Sequence, residues 1–392
     1  MKVLSLFDGM ACGMIAMQLA GVEVESYDAY EIDKYAIKTA QYNFPMIKEH
    51  GDVFDADFTQ YEGVDFLIGG SPCTYWSIAQ TKNRETVASG MGWELFSQYV
   101  RALKEAKPKY FIYENNKSMS KQIRASIDDA FGFEAVLINS VLVSAQNRQR
   151  LYWVGKRNAD GTYSKVNVEQ PADRGILLKD VLDSAVAMRE MAAEPINTDT
   201  NGKSFCVTAR YYKGFGNNPG KCLEKHRDSM VAEPVCVAEP INDILQVGAM
   251  PRPDGEISTS AGFRIYSTEA KGRYLCANGG GAGAKTGLYA IPYAIEFDDD
   301  GRPIKAIGKD GKEITIHEVR DGKITIKGKQ YPIKLKDGYY IIRKLTVSEC
   351  KRLQTVPEWY EFPVSDSQAY KMLGNGWTVD VITHILKGLK EA

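Results

Sequence analysis

The sequence predicts an α/β fold in which strands and helices alternate over residues 1–157, a smaller β-rich domain follows over 158–343, and a helical segment closes the chain over 344–392. Three observations predict it. Short apolar runs such as 64–68 end in glycines and lead into amphipathic stretches, the rhythm of buried strands feeding helices. From 158 onward that alternation stops, and glycine, proline and short β-branched runs replace it. The chain's 392 residues exceed one small core, and 44% hydrophobic with 25% charged residues is the balance of a globular chain without membrane segments.

The first strand ends at Phe7 and opens into Asp8-Gly9-Met10-Ala11-Cys12-Gly13, followed by a helix over 14–20 that stops at Gly21. A second strand covers 24–31, and a helix capped by Asp33 runs to Asn43. In a βαβ unit of this kind, glycines let the backbone approach a ligand, and an acid about 20 residues on can accept hydrogen bonds from a ribose diol. Glu31, 22 residues after Gly9, has that place. The glycine spacing is not G-x-G-x-x-G, so it suits a nucleoside cofactor without phosphates, such as S-adenosylmethionine, better than NAD or FAD. A glycine turn that merely tightens strand-to-helix packing is the other reading. Asp52, in His50-Gly51-Asp52-Val53, is either an acceptor for an adenine amino group or an exposed turn acid.

After the apolar run 64–68 comes Gly69-Gly70-Ser71-Pro72-Cys73-Thr74. A cysteine just past a buried strand stands where α/β sheets place reacting groups, which makes Cys73 a candidate nucleophile; a buried structural thiol fits the same stretch. Residues 74–92 are polar, glycine-marked and aperiodic, the pattern of a mobile lid. A helix over 93–106 is halted by Pro108, and the next strand, 109–113, delivers Glu114 to the same sheet edge as Cys73, unless Glu114 caps the helix that follows. Strands at 135–143 and 151–154 flank Gln146-Asn147-Arg148-Gln149-Arg150. Arginines two apart on an extended segment face one way, which suits recognition of an anion or carbonyl, or a surface salt bridge.

In the β-rich region, Asp-Gly pairs at 300, 310, 321 and 337 mark hairpin turns. The stretch 202–209 has a faint echo in 271–277, each copy followed by glycines and lysine. Between Lys203 and Arg227 six basic residues face one acid, Glu224, so a local basic patch lies on a chain of net charge −1. A solvated flexible face is the alternative. Seven cysteines without a C-x-x-C pair and four scattered histidines argue against a zinc site, a disulfide framework or any metal centre. The N-terminus enters a strand without a signal-peptide pattern, so a cytoplasmic protein is expected.

The last segment begins with a helix over 347–353, capped by Thr346 with Glu349 as capping-box partner. Gln368-Ala369-Tyr370-Lys371-Met372-Leu373 then leads into Gly374-Asn375-Gly376-Trp377-Thr378, and an apolar helix over 379–389 is expected to pack back on the first domain.

These blocks, in this order, resemble the DNA cytosine carbon-5 methyltransferases: Phe7-Asp8-Gly9 to Gly13, Glu31, Gly70-Ser71-Pro72-Cys73, Glu114-Asn115, Gln146-x-Arg148-x-Arg150, and Arg352-Leu353-Gln354 with Gly374-Asn375. Any one is weak; six in order are specific. The glycine loop and the Trp377 turn look most like those of certain phage enzymes and the animal de novo methyltransferases. Asn116 stands where the family usually has valine, and the glycine loop is one glycine short. The resemblance implies a Rossmann-like S-adenosylmethionine-dependent methyltransferase domain with a smaller β-rich target-recognition domain. It further implies Cys73, Glu114, Arg148 and Arg150 as catalytic residues. The cofactor would lie against Phe7, Asp8, Gly9, Met10, Gly13, Glu31, Ile32, Asp52, Val53, Pro72, Asn375 and Trp377, and DNA against Ser77, Lys82, Arg84, Arg210, Lys213 and Lys285. The implied partner is double-stranded DNA, bound by a monomer in a bacterial or phage-infected cell, with a cognate restriction endonuclease as a candidate partner. An RNA cytosine methyltransferase and a catalytically silent DNA-binding homologue are the alternatives. A zinc deaminase is excluded, since its P-C-x-x-C would need cysteine at Trp76.

Overall fold

The computed structural model describes residues 1–391 apart from 78–83, 184–240, 253, 259, 277–282, 284–285, 294–305 and 308–312. The chain divides into two compact units: Met1–Ser144, Arg148–Arg174 and Lys351–Ala392 form one, and Ala145–Asn147 with Gly175–Cys350 the other. The first unit keeps the chain as far as Arg174, well past 157. A strand at Tyr163–Lys165 still pairs with its sheet, and Arg174 donates its amide to Leu142 O and pairs with Asp380 at 2.5 Å.

In chain order the first unit contains β1 (Lys2–Leu6), α1 (Cys12–Leu19), β2 (Ser26–Tyr30), α2 (Lys34–Asn43), β3 (Lys48–Glu49), β4 (Phe66–Gly69), α3 (Met91–Ala106), β5 (Tyr110–Asn116), α4 (Lys121–Phe131) and β6 (Val136–Asn139). β7 (Gln146–Asn147) belongs to the second unit, and β8 (Gln149–Arg157) and β9 (Tyr163–Lys165) return to the first. The eight-stranded sheet runs β3-β2-β1-β4-β5-β8-β6, with β9 against β8. β1 to β5 are parallel, whereas β8 is antiparallel to β5 and β6. The strand order reverses at β1, between β2 and β4, and the carboxyl ends of strands at such a reversal open a crevice that binds ligands.

Differences from the expected elements have local causes. β5 extends to Asn116, so Glu114 lies inside the strand, because antiparallel β8 pairs with it as far as Asn116 opposite Arg150. α3 begins two residues early, at Met91, where the Gly92 amide donates to Glu85 Oε1. The run 135–143 breaks after Asn139, whose side chain caps a 3-10 turn, Ser140–Leu142.

The core beneath the crevice is aromatic. Phe96, Tyr99, Phe111, Tyr113, Phe131 and Trp153 interlock between α3, α4 and the sheet, and Tyr99 Oη lies 3.1 Å from Leu67 O and 3.0 Å from Ile112 O. At Gly69 a Cβ would stand 2.5 Å from the carbonyl oxygen of Leu6, its β1 partner, and 3.2 Å from Tyr99. Neither backbone can retreat without breaking the ladder. Gly69→Ala is therefore expected to cost about 3 kcal/mol in denaturant unfolding. Gly388→Ala, with open space around it, is expected to be neutral or stabilising.

Three helices follow in the chain: α5 (Val347–Leu353), whose first residues belong to the second unit, then α6 (Asp366–Asn375) and α7 (Val379–Glu391) in the first. The capping box at α5 is present, with Thr346 N to Glu349 Oε2 at 2.7 Å and Glu349 N to Thr346 Oγ1 at 3.2 Å. α7 lies on α1, where Thr383 donates to Ala16 O and Lys390 to Ala20 O.

In the second unit, β10 (Ile241–Ile244), β11 (Gln246–Ala249), β12 (Arg264–Ser267), β13 (Ala270–Arg273) and β14 (Leu288–Pro292) are followed by β15 (Ala306–Ile307), β16 (Glu313–Ile314), β17 (Ile316–Arg320), β18 (Lys323–Ile326), β19 (Lys329–Pro332) and β20 (Gly338–Arg343). A seven-stranded sheet, β11-β12-β14-β20-β17-β18-β19, buries Ile265, Leu288, Val319, Ile324 and Tyr340. Asp321-Gly322, with φ of 51° and 66°, is the expected two-residue hairpin turn. Lys327-Gly328 makes a second (φ 50° and 75°) that carries no Asp-Gly signal, and Gly338 opens β20 instead of turning. The Asp-Gly pairs at 300 and 310 and the 202–209 copy of the internal echo lie outside the described residues. Among the described residues no helix is long and apolar enough to cross a membrane.

Candidate active site

The loop after β1 is built under strain. Phe7, Gly9 and Ala11 all have positive φ, at 58°, 62° and 58°, and the two non-glycine residues each cost on the order of 1 kcal/mol there. Hydrogen bonds hold the loop in place: Phe7 N to Tyr30 O at 2.8 Å, Gly9 N to Glu31 Oε2 at 2.8 Å, and Tyr360 Oη to Met10 O at 2.6 Å. Glu31 Oε1 accepts from the amides of Ile32 and Asp33, both at 2.8 Å, so this carboxylate clamps the two strand ends together. Ile32 is 73% exposed. Gly13 lets α1 lie on β4, since a Cβ would stand 2.3 Å from Ile68 Cδ1.

Asp8 points inward. Its Oδ1 accepts from Ser5 Oγ at 2.5 Å and Tyr27 Oη at 2.7 Å, while its buried Oδ2 has no partner among the described residues. Burial pushes its pKa up to about 6. Glu49, opposite Ala29 on β3, has both carboxyl oxygens buried and without a hydrogen-bond partner among the described residues, and burial, with Asp8 and Glu31 near it, pushes it up to about 8. Buried carboxyls with unspent acceptors fit a cationic ligand carrying hydrogen-bond donors, which S-adenosylmethionine is. Glu49, Ser5 and Tyr27 escaped the sequence reading; the two-residue alternation of β2, which buries Tyr27 and Ala29 on one face, was the available signal. Asp52 caps the 3-10 turn Val53–Asp55 through Phe54 N at 3.0 Å, and Val53 is buried in the core.

Cys73 is partly exposed at the start of a 3-10 turn, Cys73–Tyr75, behind the exposed Pro72. The strand residues next to Glu114 hold the nucleophile's loop: Asn115 Nδ2 donates to Ser71 O at 3.1 Å and Asn116 Nδ2 to Cys73 O at 3.4 Å. Ser71 Oγ meets Tyr113 Oη at 2.6 Å. Gly70 is required by Glu114, because a Cβ would lie 2.7 Å from its carbonyl oxygen and 3.1 Å from Oε2. Asn116, the departure from the family's usual valine, thus has a task at the cysteine loop.

Glu114 is 8% exposed and accepts from two donors. Arg150 Nε is 3.0 Å from Oε1, a diagonal cross-strand pair, and Trp377 Nε1 is 3.0 Å from Oε2. Arg148 does not share that target. It is 3% exposed, and its guanidinium donates to Gly376 O at 2.8 Å and Gly374 O at 3.2 Å, while burial and Arg150 hold its pKa down to about 10. The two arginines therefore divide the work: Arg150 addresses the carboxylate and Arg148 the turn that carries Trp377. Asn375 is exposed at the end of α6.

The 74–92 stretch is fastened on both sides of the undescribed 78–83. Trp76 is fully buried and its Nε1 donates to Glu85 Oε2 at 3.0 Å; Arg84 spends its guanidinium on Trp76 O and Ser118 O, at 3.1 and 2.7 Å. Within the stretch expected to form a lid, these residues hold the loop to the first unit, and Arg84 serves as a staple. Ser77 donates its amide to Cys73 O at 2.9 Å. Lys82, Arg210, Lys213 and Lys285 lie outside the described residues. Among the described residues no group of three or more His, Cys, Asp or Glu could hold a metal ion.

Comparison with known proteins shows the family. The family model of C-5 cytosine-specific DNA methylases matches residues 1–391. The orphan methyltransferase M.SPRI of Bacillus phage SPR is 26% identical, over 99% of this chain and 97% of that protein. The type II methyltransferase M.NlaX of Neisseria lactamica is 24% identical, over 100% and 96%. Among solved structures, the methyltransferase EhMeth of Entamoeba histolytica shares the fold, with a TM-score of 0.54 at 12% identity over 100% of this chain and 98% of that one. The family model covers nearly the whole chain, so the chain belongs to the C-5 cytosine-specific DNA methylase family and is an S-adenosylmethionine-dependent DNA (cytosine-5) methyltransferase.

Proposed function

We propose that this enzyme methylates carbon-5 of a cytosine flipped out of double-stranded DNA at a specific sequence, through a covalent adduct between Cys73 and carbon-6. The observation that carries the reading is the packing of the Cys73 loop directly on Glu114, with Arg150 paired to that carboxylate from the next strand. Carbon-5 of cytosine is a poor nucleophile, and addition of the Cys73 thiolate to carbon-6 makes it enamine-like. The displaced electron pair moves onto ring nitrogen 3, where Glu114 in its acid form supplies a proton. Arg150 binds the exocyclic oxygen, and Arg148 keeps the neighbouring turn rigid. S-adenosylmethionine, when bound, supplies an electrophilic methyl group. With that methyl bonded to carbon-5, ring nitrogen 3 returns its proton to Glu114, carbon-5 gives its own proton to solvent, and the 5,6 double bond re-forms as the carbon–sulfur bond breaks and Cys73 leaves as thiolate. The target atom is out of reach inside a duplex, which requires the base to leave the stack.

Phe7, Asp8, Gly9, Met10, Gly13, Glu31, Ile32, Asp52, Val53, Pro72, Asn375 and Trp377 are the residues assigned to the cofactor, with Asp8 and Glu49 offering acceptors to its cationic end. In the second unit, loops between short strands read bases in the major groove, and Lys213 and Lys285 contact phosphates. The enzyme acts as a monomer on DNA.

Cofactor binding is expected to depend on pH in a definite direction. A cation favours the ionised forms of Asp8 and Glu49, whose pKa values in the free protein are raised to about 6 and about 8. Binding therefore releases protons, and affinity rises between pH 5 and 8. The same shifts mean that the folded free protein retains protons the unfolded chain releases, so its stability falls with rising pH across that window. Calorimetric titration checks the first statement, and Asp8→Asn is expected to flatten the part of the rise near pH 6. An affinity that falls or stays level from pH 5 to 8 would contradict the assignment.

The function itself is tested by mapping 5-methylcytosine at single-base resolution in a mixed-sequence plasmid incubated with enzyme and S-adenosylmethionine. Methylation in one sequence context, absent with Cys73→Ala, is expected. Methylation of cytosines regardless of context, or methylation of RNA but not DNA, would refute the reading.

A further inference from the structure

Glu114 has a donor on each carboxylate oxygen, and the two donors are not alike. Arg150, on Oε1, is the group that must also meet the base's exocyclic oxygen. Trp377, on Oε2, is assigned no contact with the base. An indole has one N–H and no acceptor, so wherever it stays bonded the oxygen it touches is an acceptor and cannot carry a proton directed at it. The turn that carries Trp377 is fixed from several sides. Arg148 binds Gly374 O and Gly376 O, Gln354 Nε2 binds Gly376 O at 3.2 Å, and Thr378 Oγ1 lies 3.0 Å from Gln354 Oε1 and 2.8 Å from Ser140 Oγ. Gly376 also sits so close to the Cys12 sulfur that a Cβ would be 3.1 Å from it.

We infer that Trp377 is a positioning residue for Glu114: its indole N–H reserves Oε2 as an acceptor and so directs the acidic proton to Oε1, the oxygen that Arg150 vacates when it turns to the base. The carboxyl torsion is otherwise broad and nearly two-fold, so without this bond the proton has no preferred side. Trp377 thus acts through Glu114, beyond any contact it makes with the cofactor. The inference rests on the roles proposed above for Glu114 and Arg150.

The test is a double-mutant cycle on kcat for methyl transfer to duplex DNA, with the KM for S-adenosylmethionine and the thermal midpoint measured alongside. Trp377→Phe keeps the ring and removes the N–H. It is expected to lower kcat by roughly 10- to 100-fold, the worth of a hydrogen bond to a charged group, and to change the cofactor KM by less than about threefold. In a Glu114→Gln background, itself slow, the same change is expected to cost less than about twofold more, because the group it orients can no longer donate as an acid. A raised cofactor KM with unchanged kcat would overturn the inference and leave Trp377 as a cofactor wall. So would an undiminished loss in the Glu114→Gln background, which would assign Trp377 a purely structural part. Glu114→Gln at the unaltered rate would instead remove the reading of Glu114 on which the inference stands.

Discussion

Cys73→Ala is expected to lower methyl transfer by about 10⁴-fold or more, while S-adenosylmethionine binds within about threefold of its affinity for the unaltered enzyme. The separation follows from the architecture. Most of the residues proposed for the cofactor, Phe7 to Gly13 with Glu31 and Ile32, lie on the loop and helix start after β1 and at the end of β2, held by Glu31, Tyr30 and Tyr360. Cys73 stands on the loop after β4, positioned by Asn115, Asn116 and Gly70. Removing one sulfur atom from a partly exposed position leaves those hydrogen bonds intact, so fold and cofactor affinity survive. Turnover that persists in Cys73→Ala would refute the covalent route, and a lost cofactor affinity would mean that the two loops are not independent.

The second large effect is expected at Arg150. Arg150→Ala leaves Glu114, a nearly buried carboxylate, with Trp377 alone, and removes the donor assigned to the base's exocyclic oxygen. A fall in kcat of about 10²- to 10³-fold at saturating DNA is expected, the range typical of losing one donor aimed at developing charge. Lys213→Ala is expected to act on DNA affinity, weakening it a few-fold and reducing its salt dependence, with kcat unchanged. Steady-state kinetics at two ionic strengths separate the two. Equal losses of kcat at Arg150 and Lys213 would contradict the site assignment.

Much of this architecture was legible before any coordinates. Strands ending in glycine, the Asp33 cap and the Thr346–Glu349 capping box are local signals, and the structure forms each of them where the residues say it should. What could not be read were interactions between distant segments. Glu114 lies within β5 because an antiparallel strand 35 residues later extends the pairing, and no local pattern encodes a partner strand. Arg148 and Arg150 share a sequence period, yet one binds the turn at 374–376 and the other Glu114, since that turn arrives from more than 220 residues away. The same holds for the Trp377 bond to Glu114, with a separation of 263. The 74–92 stretch looked free because its restraints, a buried Trp76 and the side chains of Arg84 and Glu85, depend on packing. The acid Glu49 was equally silent, because a carboxylate in sequence looks the same whether it is solvated or buried without a partner.

The central claim is that Cys73 becomes covalently bound to the base, and duplex DNA carrying 5-fluorocytosine at the mapped target position tests it most directly. Fluorine cannot leave carbon-5 as a proton does, so the step that expels the thiolate is blocked after methylation. Incubation with enzyme and S-adenosylmethionine is predicted to give a stable protein–DNA adduct of 1:1 stoichiometry, with mass spectrometry placing the nucleotide on the peptide that contains Cys73, and no adduct from Cys73→Ala. An adduct on another residue, or full inhibition without any covalent product, would contradict it.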